Sequence, residues 1–374
     1  MARRERKPKG TTYFDYNLLF IVIFLLGFGL VMLYSSSSYI SANTYGDSAH
    51  YLKLQLRNMG IGAVFMVIMA KIDYHQWKKF YILAYLGSLV LCTLVLLPIP
   101  GLTRSSHGKS RWLNLGPVSF QPSELAKLAI IIFLAVLIER HTREVSKTAG
   151  VIKVFVYLAP LLLIVAIGNL STAIIIFGIA FCMLFVANPQ YKPFFALAGV
   201  GIVGVVGLIA IEGYRGNRVD AWLHPETAGD KGYQTMQGLY AIGSGGLFGK
   251  GLGESMQKLG FIPEAQNDMI FSVICEELGL FGAVCVILLF LLMIWRFMII
   301  ANNASDLYGA LVVVGIMAHL SIQVILNIAV VTNTIPNTGI SLPFISYGGT
   351  SVLFLLAEMG LALSVAKGIK FEVN

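Results

Sequence analysis

The chain has 374 residues, 57% of them hydrophobic and 12% charged, with a formal net charge of +8. Soluble chains are about 25% charged; half that fraction cannot cover a water-facing surface, which excludes a soluble enzyme, a secreted disulfide scaffold and a disordered protein. In a membrane protein the excess positive charge reports topology rather than nucleic-acid binding, and no nucleic-acid partner is expected.

At roughly 20 residues per span, ten apolar segments follow in chain order, near 18–38, 52–70, 80–99, 123–138, 153–168, 170–187, 193–212, 269–297, 308–331 and 342–366. The expected fold is an all-α polytopic membrane protein, a single membrane domain over residues 1–374 with a basic tail at 1–15. Arg3, Arg4, Arg6, Lys7 and Lys9 lead into an apolar run too long for a signal-peptide core, and no cleavage site is expected. Lys53 and Arg57 interrupt the second segment and can snorkel to the interface. Cys92, Cys182, Cys275 and Cys285 sit in apolar runs without metal-like spacing and read as packing residues.

With the N-terminus inside, the loops near 71–79, 139–152, 188–192 and 298–307 and both termini are cytoplasmic and carry 16 of the 27 Lys and Arg residues. The other side carries 11, five of them in a long loop that counts less. Two large loops then face outward, about 100–122 and 213–268. The second mixes Gly243, Gly245, Gly246, Gly249, Gly251 and Gly253 with amphipathic stretches, and a structured loop of that length is usually functional. No solenoid period or inverted repeat is visible.

Chemistry is expected where charge meets apolar sequence on the outer side. Glu124 and Lys127, in Gln121-Pro122-Ser123-Glu124-Leu125-Ala126-Lys127, share a helix face at i,i+3. They read as a neutralising pair or as a charged cavity wall, and ionisable residues this deep favour the wall. Asp268, the last acid before the eighth segment, reads as a helix N-cap or as a reactive acid. Glu276 and Glu277 follow it, and Glu277 suits a buried hydrogen-bonded contact. Ser105–Trp112 is a polar loop whose Lys109 and Arg111 suit an anion such as diphosphate. Thr332–Ser351, TNTIPNTGISLPFISYGGTS, is irregular backbone at membrane depth, allowed where it is buried or lines a wet cavity.

These motifs resemble the SEDS family (shape, elongation, division and sporulation), which includes RodA, FtsW and SpoVE. The likeness rests on Gly27–Met32 with Ser35–Ser38, Arg111-Trp112, Gln121–Glu124 with Lys127, Gly232-Tyr233-Gln234, Gly245–Gly251, Pro263–Asp268, Glu276–Gly279 and Leu342–Gly349. Gly260–Ala265 favours the division and sporulation branch. The chain departs at Gly168-Asn169-Leu170-Ser171-Thr172, where the family usually has Pro-Asp-Leu-Gly-Thr, and at Asn267 and Met269, which replace commoner Thr and Phe.

The resemblance implies a peptidoglycan glycosyltransferase that polymerises lipid II at the outer face of the cytoplasmic membrane. It maps the essential acid onto Asp268 as general base, and the cavity pair onto Glu124 and Lys127. Substrate contacts are expected from Arg111, Lys53, Arg57, Gln121, Ser346 and Gly348. No cofactor is assigned from these residues. A divalent cation, magnesium or manganese, is the other way to neutralise the leaving diphosphate, and its ligands stay unassigned. No soluble acyl-transfer domain of a transpeptidase is expected to fit in its loops. The implied partners are therefore a class B penicillin-binding protein and other divisome or elongasome membrane proteins. The eighth and ninth segments are the expected docking side, with Ala310 and Gly315 as probes. A lipid II flippase and a scaffold for the penicillin-binding protein are the alternatives, and polymerisation in detergent separates them from an enzyme.

Overall fold

Asp15 opens the first helix, its carboxylate accepting from the Leu18 amide at 2.9 Å and from Arg296 at 2.6 Å. The structure is a computed structural model that describes residues 13–97, 99, 101, 103–106, 109–115, 118–211, 213–227 and 229–369; the basic tail and Lys370 lie outside them. Helix α1 (Tyr16–Tyr45) ends at Gly46, whose φ of 71° suits a left-handed cap. Then come α2 (His50–Lys71), a 3-10 turn at Tyr74–Phe80 and α3 (Tyr81–Leu96). After strands β1 (Thr103–Ser106), β2 (Lys109–Leu115) and β3 (Val118–Phe120), the chain continues through α4 (Pro122–Arg140), α5 (Thr142–Val145), α6 (Thr148–Gly168), α7 (Leu170–Ala187) and α8 (Lys192–Ile211). Helices α9 (Gly213–Leu223) and α10 (Gly229–Gly245) belong to the long loop, and α11 (Ile270–Asn302), α12 (Leu307–Val331) and α13 (Ser351–Lys367) complete the bundle.

Nine of the ten expected segments are helical over most of their length, and the tenth is helical only from Ser351. Among the described residues, seven helices are long and apolar enough to cross a membrane on length and composition alone. Helices α4, α8 and α13 coincide with the other three expected segments; α4 carries Glu124, Lys127, Glu139 and Arg140. The tenth segment starts as a helix only at Ser351, later than its hydropathy suggests, because residues 332–350 stay irregular. At 17 residues α13 is about 26 Å long at 1.5 Å per residue, so part of the tenth crossing falls to this irregular stretch.

Helices α4 and α12 form the centre and bury most of their residues. Helix α13 packs on α2 at very close range: a Cβ on Gly360 would lie 2.3 Å from the Met66 carbonyl oxygen, and only glycine permits that approach. Outward, Phe20 and Ile23 of α1, Leu83 of α3, Leu163 of α6, and Phe195 and Val203 of α8 form an apolar exterior, a surface suited to lipid.

The segment read as a polar loop at 105–112 is instead an antiparallel sheet of order β1-β2-β3, with a bulge between Arg104 and Ser105. In β2 the run Arg111-Trp112-Leu113-Asn114 alternates between faces, and Leu113 is buried against the bundle. The side chain of Lys109 lies outside the described part of the strand.

The glycine-rich stretch after α10 inserts into a break in α11. Gly279 has φ 69° and ψ −168° within that helix. Its break lets Lys250 N and Gly251 N donate to the carbonyls of Glu276 and Glu277, while Leu280 N and Phe281 N donate back to Gly246 and Leu247. A Cβ on Gly249 would sit 2.1 Å from the Glu277 carbonyl oxygen, which explains glycine there. The two buried acids lock the stretch: Glu276 accepts from Lys250 Nζ at 2.7 Å and Ser255 Oγ at 2.5 Å, and Glu277 from Lys258 Nζ at 2.8 Å and Ser35 Oγ at 2.6 Å. The sequence reading of Glu277 as a buried contact agrees, while Lys250 and Lys258 went unnoticed in it.

Candidate active site

A cavity of about 1030 Å³ opens where the sheet, the long loop, the irregular segment 332–350 and the starts of α4 and α7 converge. Asp268 lies in its wall. The N-cap position of α11 falls to Met269 and receives no side-chain hydrogen bond, so the capping reading of Asp268 does not hold. Instead the Asp268 carbonyl accepts from Asn327 Nδ2 at 2.8 Å, and the same amide nitrogen donates to the Ile340 carbonyl at 2.7 Å. One residue of α12 thereby ties Asp268 to the irregular segment. The Asp268 side chain is buried, and its Oδ1 finds no hydrogen-bond partner among the described residues. Burial first, and the nearby Glu264 charge second, push its carboxyl up to about 7; Arg218 and a hydrogen bond from Asn337 pull the other way. A carboxyl so placed exchanges its proton near neutrality.

Glu124 and Lys127 pair as their spacing predicts, at 3.0 Å and with both side chains buried in the cavity wall. Arg57, Arg111, Gln121 and Gly348 also line the cavity. Arg111 is held by its Nε donating to the Gly168 carbonyl at 3.0 Å, where the α6–α7 break exposes that oxygen. Asn169, at the departure from the family pattern, caps α7 by accepting from the Thr172 amide at 3.3 Å and lines the cavity too. It fills the helix-start role that an acid would fill there. Gln121 donates to Ser123 Oγ, and Gly348 N to Gln55 Oε1 at 3.4 Å.

Two expected contacts fall away. Lys53 is 69% exposed, outside the lining, and pairs with Asp47 at 2.8 Å; its long stem carries the charge out to solvent, as snorkelling allows. Ser346 is buried behind the wall, where its hydroxyl accepts from the Leu342 amide at 2.8 Å and shapes the turn.

The structure adds residues that the sequence reading missed. Arg218 and Trp222 of α9 line the cavity and donate to the carbonyls of Asn337 and Asn333, each at 2.9 Å, which pins α9 over the irregular segment. His319, Gln323 and Asn327 repeat every four residues along α12, one face of an otherwise apolar span. That spacing was the available signal. Among the described residues no three His, Cys, Asp or Glu side chains gather to hold a metal, and Glu124 is committed to Lys127.

The family model described as cell cycle protein, for FtsW, RodA and SpoVE, matches residues 16–370. The chain belongs to the FtsW, RodA and SpoVE family. Stage V sporulation protein E of Bacillus subtilis (strain 168) is 39% identical over 356 residues, covering 94% of this chain and 97% of that one. The probable peptidoglycan glycosyltransferase FtsW of Trichlorobacter lovleyi is 38% identical over 368 residues, covering 98% and 96%. Among solved structures, a chain from work on the structural coordination of polymerization and crosslinking by a peptidoglycan synthase complex superposes with a TM-score of 0.78 at 26% identity, covering 94% and 97%. The Rod shape determining protein RodA of Thermus thermophilus does so with a TM-score of 0.69 at 26% identity, covering 96% and 98%. The likenesses place this FtsW/RodA/SpoVE member on the division and sporulation side, and the matched span contains the whole cavity lining.

Proposed function

We propose that the chain is a peptidoglycan glycosyltransferase that polymerises lipid II. The observation that carries this is the buried Asp268 carboxyl, its Oδ1 without a hydrogen-bond partner among the described residues, in a cavity that also presents Arg57, Arg111, Arg218 and Lys127. A sugar hydroxyl is a weak nucleophile. Asp268 takes its proton as the oxygen bonds to the anomeric carbon of the second lipid-linked sugar. The bond from that carbon to the diphosphate breaks with its electron pair on the leaving oxygen, and the fixed cations of the cavity stabilise the charge that gathers there. A divalent cation would arrive coordinated to the diphosphate, whose oxygens are the hard ligands that magnesium takes; no step here depends on it. The deciding experiment is lipid II with purified protein in detergent, where sidedness is abolished. Glycan strands support an enzyme, and their absence supports a flippase or scaffold.

The base must be ionised to act, and its carboxyl is pushed up to about 7. Initial rates should therefore rise about tenfold per pH unit below neutrality and level off above it. A rate that stays flat from pH 5 to pH 8 would count against Asp268 as the base.

Both termini are assigned to the cytoplasm. Lys71, Lys78, Lys79, Arg140, Arg143, Lys147 and Lys192 sit at helix ends on the connections opposite the cavity, which puts the cavity outside by the positive-inside rule. The partner is assigned as a class B penicillin-binding protein docked by its single span. Gly315 does not report on that surface, since a Cβ there meets Ile131 and Met183 within 2.9 Å, inside the bundle. The outward residues of α11, Leu288, Leu291 and Trp295, do. Leu291→Ala with Trp295→Ala should weaken co-purification roughly tenfold or more and leave unpartnered folding intact. Normal capture by the double variant would move the docking surface elsewhere.

A further inference from the structure

Behind the cavity wall, a line of buried polar groups runs from the Glu124–Lys127 pair across to α13. Lys127 Nζ donates to Gln323 Oε1 at 3.3 Å. His319 Nε2 lies 2.9 Å from the same oxygen. His319 Nδ1 lies 2.8 Å and 3.0 Å from the two carboxylate oxygens of Glu358. Every one of these side chains is at most 8% exposed. An apolar span gains nothing from such groups unless they are paired, and leaving one unpaired is costly.

Hydrogen-bond accounting fixes the protons. Gln323 Nε2 donates to the Ser341 carbonyl at 3.1 Å, and its Oε1 faces an ammonium. Two partners therefore set the amide orientation independently, and a flip would break both contacts. Since Gln323 Oε1 can only accept, His319 Nε2 must carry a hydrogen. The Nδ1–Glu358 contact then holds one further proton, on the imidazole or on the carboxyl. In either case the His319–Glu358 pair is neutral as a unit and always presents Nε2–H to Gln323. The line does not conduct protons onward, because an amide oxygen has no proton to pass on. It holds a charge in place.

We infer that His319 and Glu358 are positioning residues: the pair locks Gln323 as the acceptor that keeps the Lys127 ammonium at the cavity wall beside Glu124. Lys127 has three donors on a flexible stem, and α4 alone supplies Glu124 as a partner. Gln323 adds a second anchor from α12, and Ser341 couples that anchor to the irregular segment lining the cavity. Placement of the ammonium to a fraction of an ångström matters if it acts on charge developing in the transition state. This rests on the glycosyltransferase reading only for its kinetic arm.

In Glu358→Gln the carboxylate that holds the Nδ1 proton is gone: the amide satisfies Nδ1 with either its oxygen or its nitrogen, so Nε2–H is no longer imposed on Gln323. In the tautomer with a bare Nε2 two acceptors face each other, and Gln323 rotates its amide nitrogen toward the ammonium. We expect kcat to fall about 10- to 100-fold with KM changed by less than about threefold. Adding Gln323→Glu in that background returns an acceptor to both Lys127 and His319 and moves the lost negative charge past His319, while giving up the donation to Ser341; it should recover kcat in part. A packing role for Glu358 predicts no recovery, and that result overturns the inference, as does an unchanged kcat in a single variant whose His319 Nε2 is bare by nitrogen-15 NMR. Nitrogen-15 NMR of histidine-labelled wild type tests it without any variant, so poor folding of the substitutions leaves it testable. His319 Nε2 should be protonated throughout the neutral range, and a bare Nε2 refutes the lock. The NMR readout needs no turnover, so loss of the glycosyltransferase reading would show in the polymerisation assay and leave this measurement standing.

Discussion

Asp268→Asn is expected to lower lipid II polymerisation by about 10²- to 10⁴-fold, the usual contribution of a positioned general base, while the protein folds normally. The substitution keeps the volume, and the backbone carbonyl that anchors residue 268 to Asn327 is untouched. The side chain caps no helix, so no helix start is lost. The sign of the ionisation effect sharpens the control. A carboxyl raised above its ordinary value contributes to stability when protonated and loses that contribution as pH rises through about 7. Asn carries no such dependence, so above neutrality the variant should melt at or above the wild-type temperature. Near-normal glycan synthesis by the folded Asn variant would refute the assignment, and a lowered melting temperature at pH 8 would refute the burial argument.

Lys127→Met is expected to cost about 3–5 kcal/mol of stability, because it leaves Glu124 buried beside no cation. The pair is 3.0 Å apart, with side chains only 2% and 8% exposed, so solvent screening does not reduce this figure as it does at a surface. Adding Glu124→Gln should recover part of the loss. A double-mutant cycle on thermal unfolding in detergent should give a coupling of about 1–3 kcal/mol, and additivity would show the pair to be incidental. Recovery should stop short of wild type, since Gln323 Oε1 still loses the ammonium it accepts from. Activity should stay low in all three variants, because each removes a cavity charge.

Much of the site was readable where a local rule applied. The i,i+3 spacing of Glu124 and Lys127 needs only helix geometry, and the pair is where that geometry puts it. Asp268, Arg57, Arg111, Gln121 and Gly348 converge on one cavity, although Asp268 had two sequence readings that only the resemblance ranked. Lys53 failed because a charge near a span end is free to leave the bundle, and spacing does not say which way its stem points. Ser346 failed because a serine in a turn serves the backbone as readily as a ligand.

The division between the two sources of information follows the range of the forces. The polytopic helical class and the two large loops are properties of runs of residues, set by bilayer thickness and by the cost of burying backbone without hydrogen bonds, and the amino-acid sequence alone determined them; that the last helix starts only at Ser351 was decided by the packing of the irregular segment. The short sheet escaped because a seven-residue alternation in β2 becomes a strand only when β1 and β3 pair with it. The orientation of Asp268, the entry of Arg218 and Trp222 into the wall, and the line from Glu358 through His319 and Gln323 to Lys127 were decided by tertiary structure alone. Each joins residues tens to hundreds of positions apart, whose contact depends on how α4, α9, α12, α13 and the segment at 332–350 pack together.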